Sequence, residues 1–573
     1  MLRQLLIFLI PVAVLLWQLA GAPWHLPHLA LWPLSLAALL IEAVWLGKRR
    51  SWLRFLPLLL LLWIAQATIL LLTLLPEVMH PLHVAPRRRE EAEAVLEEEH
   101  HVPSTVASDA FGGELADAGL AETISVVLPC AEERQNAIWT VERFCRRTPA
   151  EVLKEIIVVD DGSDPPLEEL FQKDEKRLDQ DPACRLRFLR HEQTTGLMAA
   201  KLTGGREARG DVVAFIDCHC APQMHWHKEI LEQVRINPRR MVVSAITDLD
   251  MDTFDEKKDS QVNAKCYLTF DADFKWFDDD SDFIPTISGG LVAMGRAWFN
   301  LTGGFDEGMH GWGGENLDQS LRAWLCGGDI VRAKSSRIAH MWRTGDRRTA
   351  THYRIKARST NNRGRVVAAW FGPFKEVARS AGGVDEADVQ NYANFKQRLN
   401  CRPFSYFIYR FRKLYLEGGV IAKESFLLQE VSTGKCLHTS ASFSDCAKTR
   451  RLQLGNVDRL TGKCCSGLRL HGTNNCFDFF DSKGGIHMYS CDVMGRNMNQ
   501  QYQLQQDGRL QKGEQDCIVA QENRVSLKPC ADLQPNEGIF RKIEPQETKE
   551  YQVYRRELAK DQWDSKFPAL PDN

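Results

Sequence analysis

Cysteine pairs spaced as Cys-x-x-Cys are absent from this sequence, and so is a strong net charge. The first absence argues against a zinc finger, because such sites take thiolate ligands from closely spaced pairs. The second gives no sign of a nucleic-acid partner, since 72 lysines and arginines nearly balance 75 aspartates and glutamates and leave a formal charge of −3. We therefore expect neither a cysteine zinc site nor nucleic-acid binding.

Cysteine is nevertheless plentiful and unevenly spread. Eight of the 16 cysteines lie between Cys436 and Cys530. Such crowding is typical of a small module that disulfides hold together in an oxidising compartment. The chain of 573 residues is also too long for one compact core, so we expect two or three folded units.

The first 80 residues are sharply apolar and predict a membrane region with one to three transmembrane helices. Residues 55–75 carry no charge over 21 positions, enough to cross a bilayer core, while residues 26–46 and 5–19 are weaker candidates. Lys48, Arg49, Arg50 and Arg54 favour a cytosolic loop before the third stretch, which places the rest of the chain in the lumen. A signal peptide over residues 1–22 is the alternative. Residues 81–120 are interpreted as an exposed stem.

From residue 121 the pattern changes to alternating strands and helices, which predicts a mostly parallel α/β sheet with ligands at the carboxyl ends of its strands. Strands are expected at residues 124–128, 155–161, 186–189, 212–216 and 241–246. Two of these ends carry carboxylates, at Asp160-Asp161 and at Asp217-Cys-His219. Asp217 and His219 can share one cation, and Mn²⁺ suits a site of mixed oxygen and imidazole ligands. An ordinary turn is the alternative for this short motif.

Three later blocks narrow the interpretation. They are Trp312-Gly-Gly-Glu315-Asn316, a helix with Ser-x-Arg-x-Trp spacing before Cys326-Gly-Gly, and His340-Met-Trp-Arg343. Together they resemble the polypeptide N-acetylgalactosaminyltransferase family, which initiates mucin-type O-glycosylation. The resemblance covers residues 123–410 and implies a GT-A, Rossmann-like glycosyltransferase domain over residues 121–415. It also implies Mn²⁺-dependent, retaining transfer of GalNAc from UDP-GalNAc to Ser or Thr hydroxyls of proteins.

The resemblance also implies roles for single residues. His340 is expected to complete the metal site with Asp217 and His219, and residues 344–356 are expected to form a mobile lid. The donor and acceptor groups implied in the same way are Asp161 at the uridine, Gly290 and Asp217 at the donor, Arg343 at the diphosphate, and Trp312, Glu315 and Asn316 at the junction of donor sugar and acceptor. Cys326 and Cys401 match a disulfide of the family, whereas Cys218 and Cys220 are interpreted as small core residues.

The sequence departs from the family pattern around the donor. Residues 129–133 read Pro-Cys-Ala-Glu-Glu where the family has Phe-His-Asn-Glu, and residues 192–195, 347–348 and 367–374 differ as well. The three predicted metal ligands are all retained. We therefore predict retained catalysis, with two alternatives open: a related retaining transferase that uses another UDP-sugar or acceptor, and a catalytically inactive, membrane-tethered lectin.

Residues 425–545 contain three similar units of about 40 residues, which suggests a β-trefoil. Their landmarks resemble a ricin-type lectin domain, and the middle unit keeps Asp478, Tyr489 and Asn499 as its predicted sugar-binding residues. A purely structural trefoil is the alternative. The cysteines expected to form disulfides here are Cys436, Cys446, Cys476, Cys491, Cys517 and Cys530. Residues 546–573 are left as a C-terminal tail, and the whole architecture predicts a Golgi membrane protein with lumenal catalytic and lectin domains.

Overall fold

The computed structural model describes residues 121–263, 265–343, 359–378, 384–454, 467–480, 485–513 and 515–560. The predicted membrane segments, the stem and the predicted lid at residues 344–356 lie outside these ranges. Within the described residues, no helix combines the length and the apolar character needed to cross a membrane.

A mixed sheet forms the centre of the first region. Among the described residues it has nine strands, which are β1 Ile124–Cys130, β2 Leu153–Asp161, β3 Leu186–His191, β4 Val212–Ile216, β5 Cys220–Pro222, β6 Arg240–Asp250, β7 Asp255–Glu256, β10 Leu291–Gly295 and β11 Asp329–His340, while β8 Cys266–Leu268 and β9 Phe274–Trp276 form a separate hairpin. Eight of the nine follow the order β3-β2-β1-β4-β10-β6-β11-β5, and β7 pairs with β6. All five strands expected from the sequence are present.

The prediction of a mostly parallel sheet holds for one half of it. Strands β1, β2, β3 and β4 are parallel, as are β6 and β11. Strand β10 is antiparallel to both of its neighbours, β4 and β6, and therefore joins the two parallel parts. Strands β4, β6 and β11 therefore run in the same direction, and the carboxyl ends of β4 and β11, which carry the predicted metal ligands, lie at the same edge of the sheet.

Helices cover both faces of this sheet. Val127 and Val159 point into one hydrophobic core and Val126 and Val158 into another, because successive side chains of a strand face opposite sides. The helices are α1 Gln135–Arg147, α2 Leu167–Lys173, α3 Leu197–Glu207, α4 His227–Ile236, α5 Arg296–Leu301, α6 Glu315–Leu325, α7 Ser359–Trp370, α8 Ala393–Arg398, α9 Phe404–Arg410 and α10 Lys549–Lys560. Buried strands between two helical layers explain the long apolar runs in the sequence.

The second region is all β. Its described strands form one twelve-stranded sheet around a core that includes Phe426, Leu452, Leu470 and Ile518. The strands are β12 Glu424–Glu430, β13 Cys436–His438, β14 Ser442–Ser444, β15 Leu452–Leu454, β16 Leu468–Leu470, β17 Asn475–Phe480, β18 Gly485–Ser490, β19 Tyr502–Leu504, β20 Leu510–Lys512, β21 Asp516–Gln521, β22 Arg524–Pro529 and β23 Phe540–Glu547. The all-β prediction is confirmed; the domain boundaries set from the sequence stay predictions.

The disulfides expected in this region are present. Cys436 pairs with Cys446, Cys476 with Cys491, and Cys517 with Cys530, so each of the three units closes its own loop. In the first region, the expected bridge between Cys326 and Cys401 is also formed.

Candidate active site

The three predicted metal ligands come together at the edge of the sheet. Asp217 and His219 follow β4, and His340 is the last residue of β11. Strand β5 begins directly after His219 and pairs with β11 so that Cys220 stands opposite His340. One ligand atom from each of Asp217, His219 and His340 lies within 4.8 Å of the other two. The convergence predicted from the sequence is therefore what the structure contains.

The chemistry of the three side chains fits a divalent cation. His340 Nε2 lies 3.3 Å from Asp217 Oδ2. Burial alone raises the pKa of Asp217, but the hydrogen bond with His340 and the charge of His219 outweigh it and lower the pKa to about 2. Burial lowers the pKa of His340, which favours the neutral imidazole that a metal requires. An ionised carboxylate beside two imidazoles is a donor set that Mn²⁺ accepts.

Gly290 leaves the space that Asp217 occupies. A Cβ atom at position 290 would lie 2.5 Å from Asp217 Oδ2, and the Asp217 amide donates to the Gly290 carbonyl at 3.1 Å. Any side chain there would displace the carboxylate. The structure thus gives Gly290 a part in shaping the metal site, while its predicted contact with the donor stays a prediction.

Glu133 is a site residue that the sequence pattern did not predict. Its Oε1 atom accepts a hydrogen bond from Arg343 Nη2 at 2.5 Å and lies 3.1 Å from His219 Nδ1. Burial alone raises the pKa of Glu133, but the nearby His219 and Arg343 outweigh it and lower the pKa. The carboxylate therefore links a metal ligand to the arginine expected at the diphosphate. Its position shortly after the end of β1, next to Glu132, was the feature of the sequence that could have indicated a site residue.

A disulfide that was not predicted flanks the metal motif. Cys218 pairs with Cys130 at the end of β1, so its interpretation as a small core residue is wrong. The error arises because the two cysteines are 88 residues apart and only the pairing of β1 with β4 brings them together. Cys220 is buried with a free thiol, as expected. A second unpredicted bridge joins Cys145 to Cys184.

Removing the Cys130–Cys218 bridge is expected to weaken metal binding as well as the fold. A double serine variant loses the constraint on a long loop, which typically costs about 2–4 kcal/mol of unfolding free energy. It also frees the residue between Asp217 and His219, so Mn²⁺ affinity falls. The matched control is the Cys145/Cys184 double serine variant, in which denaturation shows lost stability while the Mn²⁺ titration is unchanged. Equal Mn²⁺ affinities in the two variants would contradict this role.

The Glu315 carboxylate lies in a buried pocket at the start of α6. Glu315 is 5% exposed, and its Oε1 atom is 3.6 Å from Lys201 Nζ. Lys201 is 1% exposed and also donates to the Gly289 carbonyl at 2.8 Å. The other carboxylate oxygen, Oε2, is buried and has no hydrogen-bond partner. That oxygen is a buried acceptor without a donor, and the positioning role expected of Glu315 stays a prediction.

Asn316 and Trp312 occupy different environments. The Asn316 side chain is buried and donates to the Ile287 carbonyl at 3.1 Å, so it holds the loop that precedes Gly289. Trp312 is 46% exposed on the loop before α6. Asn362 holds that loop in place. Its side-chain oxygen accepts from the backbone amide of His310, and its side-chain nitrogen donates to the Gly313 carbonyl. Trp312 is therefore an exposed ring on a fixed backbone.

Asp161 has a structural task that the sequence did not indicate. Its Oδ1 accepts from the Thr195 amide at 2.9 Å and lies 2.8 Å from His191 Nδ1, while Oδ2 accepts from the Gly196 amide at 2.8 Å. These bonds fix the loop between β3 and α3. The predicted contact between Asp161 and uridine stays a prediction.

Two tryptophan rings that the sequence did not indicate, Trp342 and Trp276, lie beside the metal triad. Trp342 packs against the His340 ring at 4.5 Å between centroids, and its Nε1 donates to Asp248 at 2.8 Å. Trp276 meets Trp342 edge-on at 6.1 Å and is 41% exposed. An exposed ring of this kind can stack on a sugar or on an apolar side chain of an acceptor.

In the all-β region, the predicted residues of the middle unit are only partly grouped. Asp478 is fully buried; its Oδ2 accepts from Asn497 Nδ2 at 2.9 Å and Gln500 Nε2 at 2.7 Å, and its Oδ1 has no partner. Tyr489 is 57% exposed on the adjacent strand. The two amides that hold the aspartate thus belong to Asn497 and Gln500, which lie on either side of the predicted Asn499.

Known proteins resemble this chain in its catalytic region. Residues 125–298 match Glycosyl transferase family 2, and residues 279–345 match the N-terminal domain of galactosyltransferase. Polypeptide N-acetylgalactosaminyltransferase 11 of Xenopus tropicalis is 30% identical over 308 residues, which make up 50% of this chain and 49% of that protein. The chain therefore spans about half the length of this relative.

Two further similarities extend the comparison. Inactive polypeptide N-acetylgalactosaminyltransferase-like protein 5 of Macaca fascicularis is 31% identical over 303 residues, which make up 50% of this chain and 67% of that protein. A crystal structure of GalNAc-T7 with UDP, GalNAc and Mn²⁺ is 18% identical and superposes with a TM-score of 0.45, covering 74% of this chain and 82% of that one.

Proposed function

This chain belongs to the polypeptide N-acetylgalactosaminyltransferase family, and from that membership we propose that it transfers GalNAc from UDP-GalNAc to Ser or Thr hydroxyls of proteins with retention. The observation that carries the proposal is the convergence of Asp217, His219 and His340 on one cation site. Metal-dependent transfer requires such a three-ligand site, whereas sugar binding by a lectin does not use it. The same geometry disfavours an inactive lectin.

Each site residue has a separate role in the proposed glycosyl transfer. Asp217, His219 and His340 would hold Mn²⁺, which when bound neutralises the charge of a departing diphosphate. Arg343 is placed beside His219, with its Nη2 atom 3.3 Å from Nδ1, where a guanidinium can donate to phosphate oxygens. Glu315 offers its unpartnered Oε2 to a hydroxyl of the sugar or the acceptor. Trp276 and Trp312 give exposed apolar surface for the acceptor.

A donor panel tests this function. The full chain in detergent, with Mn²⁺, is mixed with Thr-containing peptides and with UDP-GalNAc, UDP-GlcNAc, UDP-galactose or UDP-glucose in turn, and the peptide mass is followed. We expect the mass of one N-acetylhexosamine to be added with UDP-GalNAc. Transfer from another donor would support the related transferase, and no turnover with any donor would overturn the proposed activity.

We also propose that the all-β region is a ricin-type β-trefoil whose middle unit binds a sugar. The buried, unpartnered Asp478 Oδ1 supports this proposal, because a buried carboxylate oxygen without a donor is costly unless a ligand supplies one. Asp478→Ala is expected to abolish binding to a GalNAc column while leaving transfer to peptides that carry no sugar unchanged. Asp507→Ala, at an exposed turn, is the matched control. Retained column binding by the Asp478 variant would contradict a sugar site here.

The proposed location is the Golgi membrane, with both domains in the lumen. Six disulfides among the described residues support an oxidising compartment. The membrane anchor rests on the apolar stretches within the first 80 residues of the sequence. Protease treatment of sealed Golgi vesicles checks this location, since degradation without detergent would place the domains in the cytosol.

A further inference from the structure

Glu133 occupies a constrained position beside the metal triad. Its side chain is 10% exposed, and its Oε1 atom faces His219 Nδ1 and Arg343 Nη2 together. One carboxylate oxygen is therefore shared between a predicted metal ligand and the predicted diphosphate arginine.

The backbone around Glu133 fixes its direction. Glu132 and Arg134 both have positive φ angles, 58° and 49°, and residues other than glycine rarely adopt this backbone conformation. The Glu132 amide donates to Ser163 Oγ at 3.0 Å, and Glu132 Oε1 accepts from the Asp164 amide at 3.0 Å. Such backbone conformations persist only where surrounding contacts impose them, and they concentrate at functional sites.

The same short segment is also tied covalently to the metal motif. Cys130, three residues before Glu133, is bonded to Cys218, which stands between Asp217 and His219. Two contacts thus join the segment to the motif. One is the disulfide between Cys130 and Cys218, and the other is the contact between the Glu133 carboxylate and His219. This arrangement lies in the stretch where the sequence departs from the family pattern.

We propose that Glu133 is a positioning residue, which holds the His219 proton on Nδ1 so that Nε2 faces the cation, and which keeps Arg343 at the rim of the metal site. An imidazole whose one nitrogen donates to a carboxylate presents its other lone pair to a metal in a fixed direction. The proposal rests on the proposed function, because Arg343 matters only if a diphosphate leaves there. Loss of such a partner typically lowers metal affinity by about 10- to 100-fold.

Three variants test this role. Glu133→Gln keeps the size of the side chain and removes its charge, Glu133→Asp keeps the charge on a shorter stem, and Glu232→Gln, at an exposed position of α4, is the control. Mn²⁺ affinity is measured without donor, by electron paramagnetic resonance of the free ion in solution. We expect about a tenfold or greater loss for Glu133→Gln, partial recovery for Glu133→Asp, and unchanged affinity for Glu232→Gln.

Kinetics and melting separate positioning from a merely structural role. A positioning role raises KM for UDP-GalNAc in Glu133→Gln while the melting temperature stays near that of the wild type. A structural role would lower the melting temperature of Glu133→Gln and leave the Mn²⁺ affinity of the folded protein equal to that of Glu232→Gln, which would overturn the proposal. If the wild type itself bound no Mn²⁺, the proposed function would fail with it; normal binding by both wild type and Glu133→Gln would overturn the positioning role alone.

Discussion

Replacing Asp217 with asparagine is expected to abolish Mn²⁺ binding and to lower kcat/KM by about a thousandfold, which corresponds to about 4 kcal/mol of transition-state stabilisation. Asp217 is the one carboxylate in the triad, so the variant leaves two neutral imidazoles to hold a doubly charged ion. The amide has nearly the shape of the carboxylate, and the loop that Gly290 shapes around it is retained. Mn²⁺ titration and peptide glycosylation measure the two effects.

The control for this prediction is Asp259→Asn. Asp259 is an exposed carboxylate on the turn after β7, so the same chemical change there is expected to alter neither Mn²⁺ affinity nor turnover. Circular dichroism verifies that both variants are folded. Full activity of Asp217→Asn at the wild-type Mn²⁺ concentration would show that the carboxylate holds no catalytic metal.

Replacing Lys201 with methionine is expected to cost about 3–5 kcal/mol of unfolding free energy, the range measured when one partner of a buried ion pair is removed. Lys201 Nζ lies 3.6 Å from Oε1 of the buried Glu315 carboxylate, and it also donates to the Gly289 carbonyl. Without the ammonium group, Glu315 is a buried charge whose Oε2 already has no partner. We therefore expect Glu315 to shift and turnover to fall in the fraction that folds.

The double variant Lys201→Met/Glu315→Gln separates stability from catalysis. Removing the unpaired charge is expected to recover much of the lost unfolding free energy, since a neutral pair no longer buries an ion. Turnover is expected to stay low, because the amide cannot accept a hydroxyl proton as strongly as the carboxylate. Urea denaturation gives the first quantity and peptide glycosylation the second. Recovery of turnover together with stability would show that the charge of Glu315 has no role in catalysis.

The sequence predicted those site residues that lie at regular strand ends. Asp217 and His219 follow a buried strand, where a parallel sheet collects its ligands, so their side chains could be placed without a structure. His340 was different, because only the resemblance to a family connected it with residues more than a hundred positions earlier. The pairing of β5 with β11 supplies the physical reason for that connection.

The residues that were missed depend on tertiary geometry. Glu133 reaches His219 because its neighbours adopt positive φ angles, and glutamate and arginine carry no sequence signal for that conformation. Lys201 resembles an ordinary polar residue of α3, and only the fold reveals that it is 1% exposed. In the all-β region, Asn497 contacts Asp478 because of the turn that begins there, which spacing alone did not distinguish from Asn499.

The Cys130–Cys218 bond has a practical consequence for making this protein. A host cytosol rich in reduced glutathione would deliver a chain in which the aspartate and histidine of the metal motif flank a free thiol rather than a crosslink. Such material could fold and still bind Mn²⁺ weakly. Recombinant protein for assays therefore calls for secretion, or for a host with a disulfide isomerase, and thiol titration of each batch would precede any comparison of turnover.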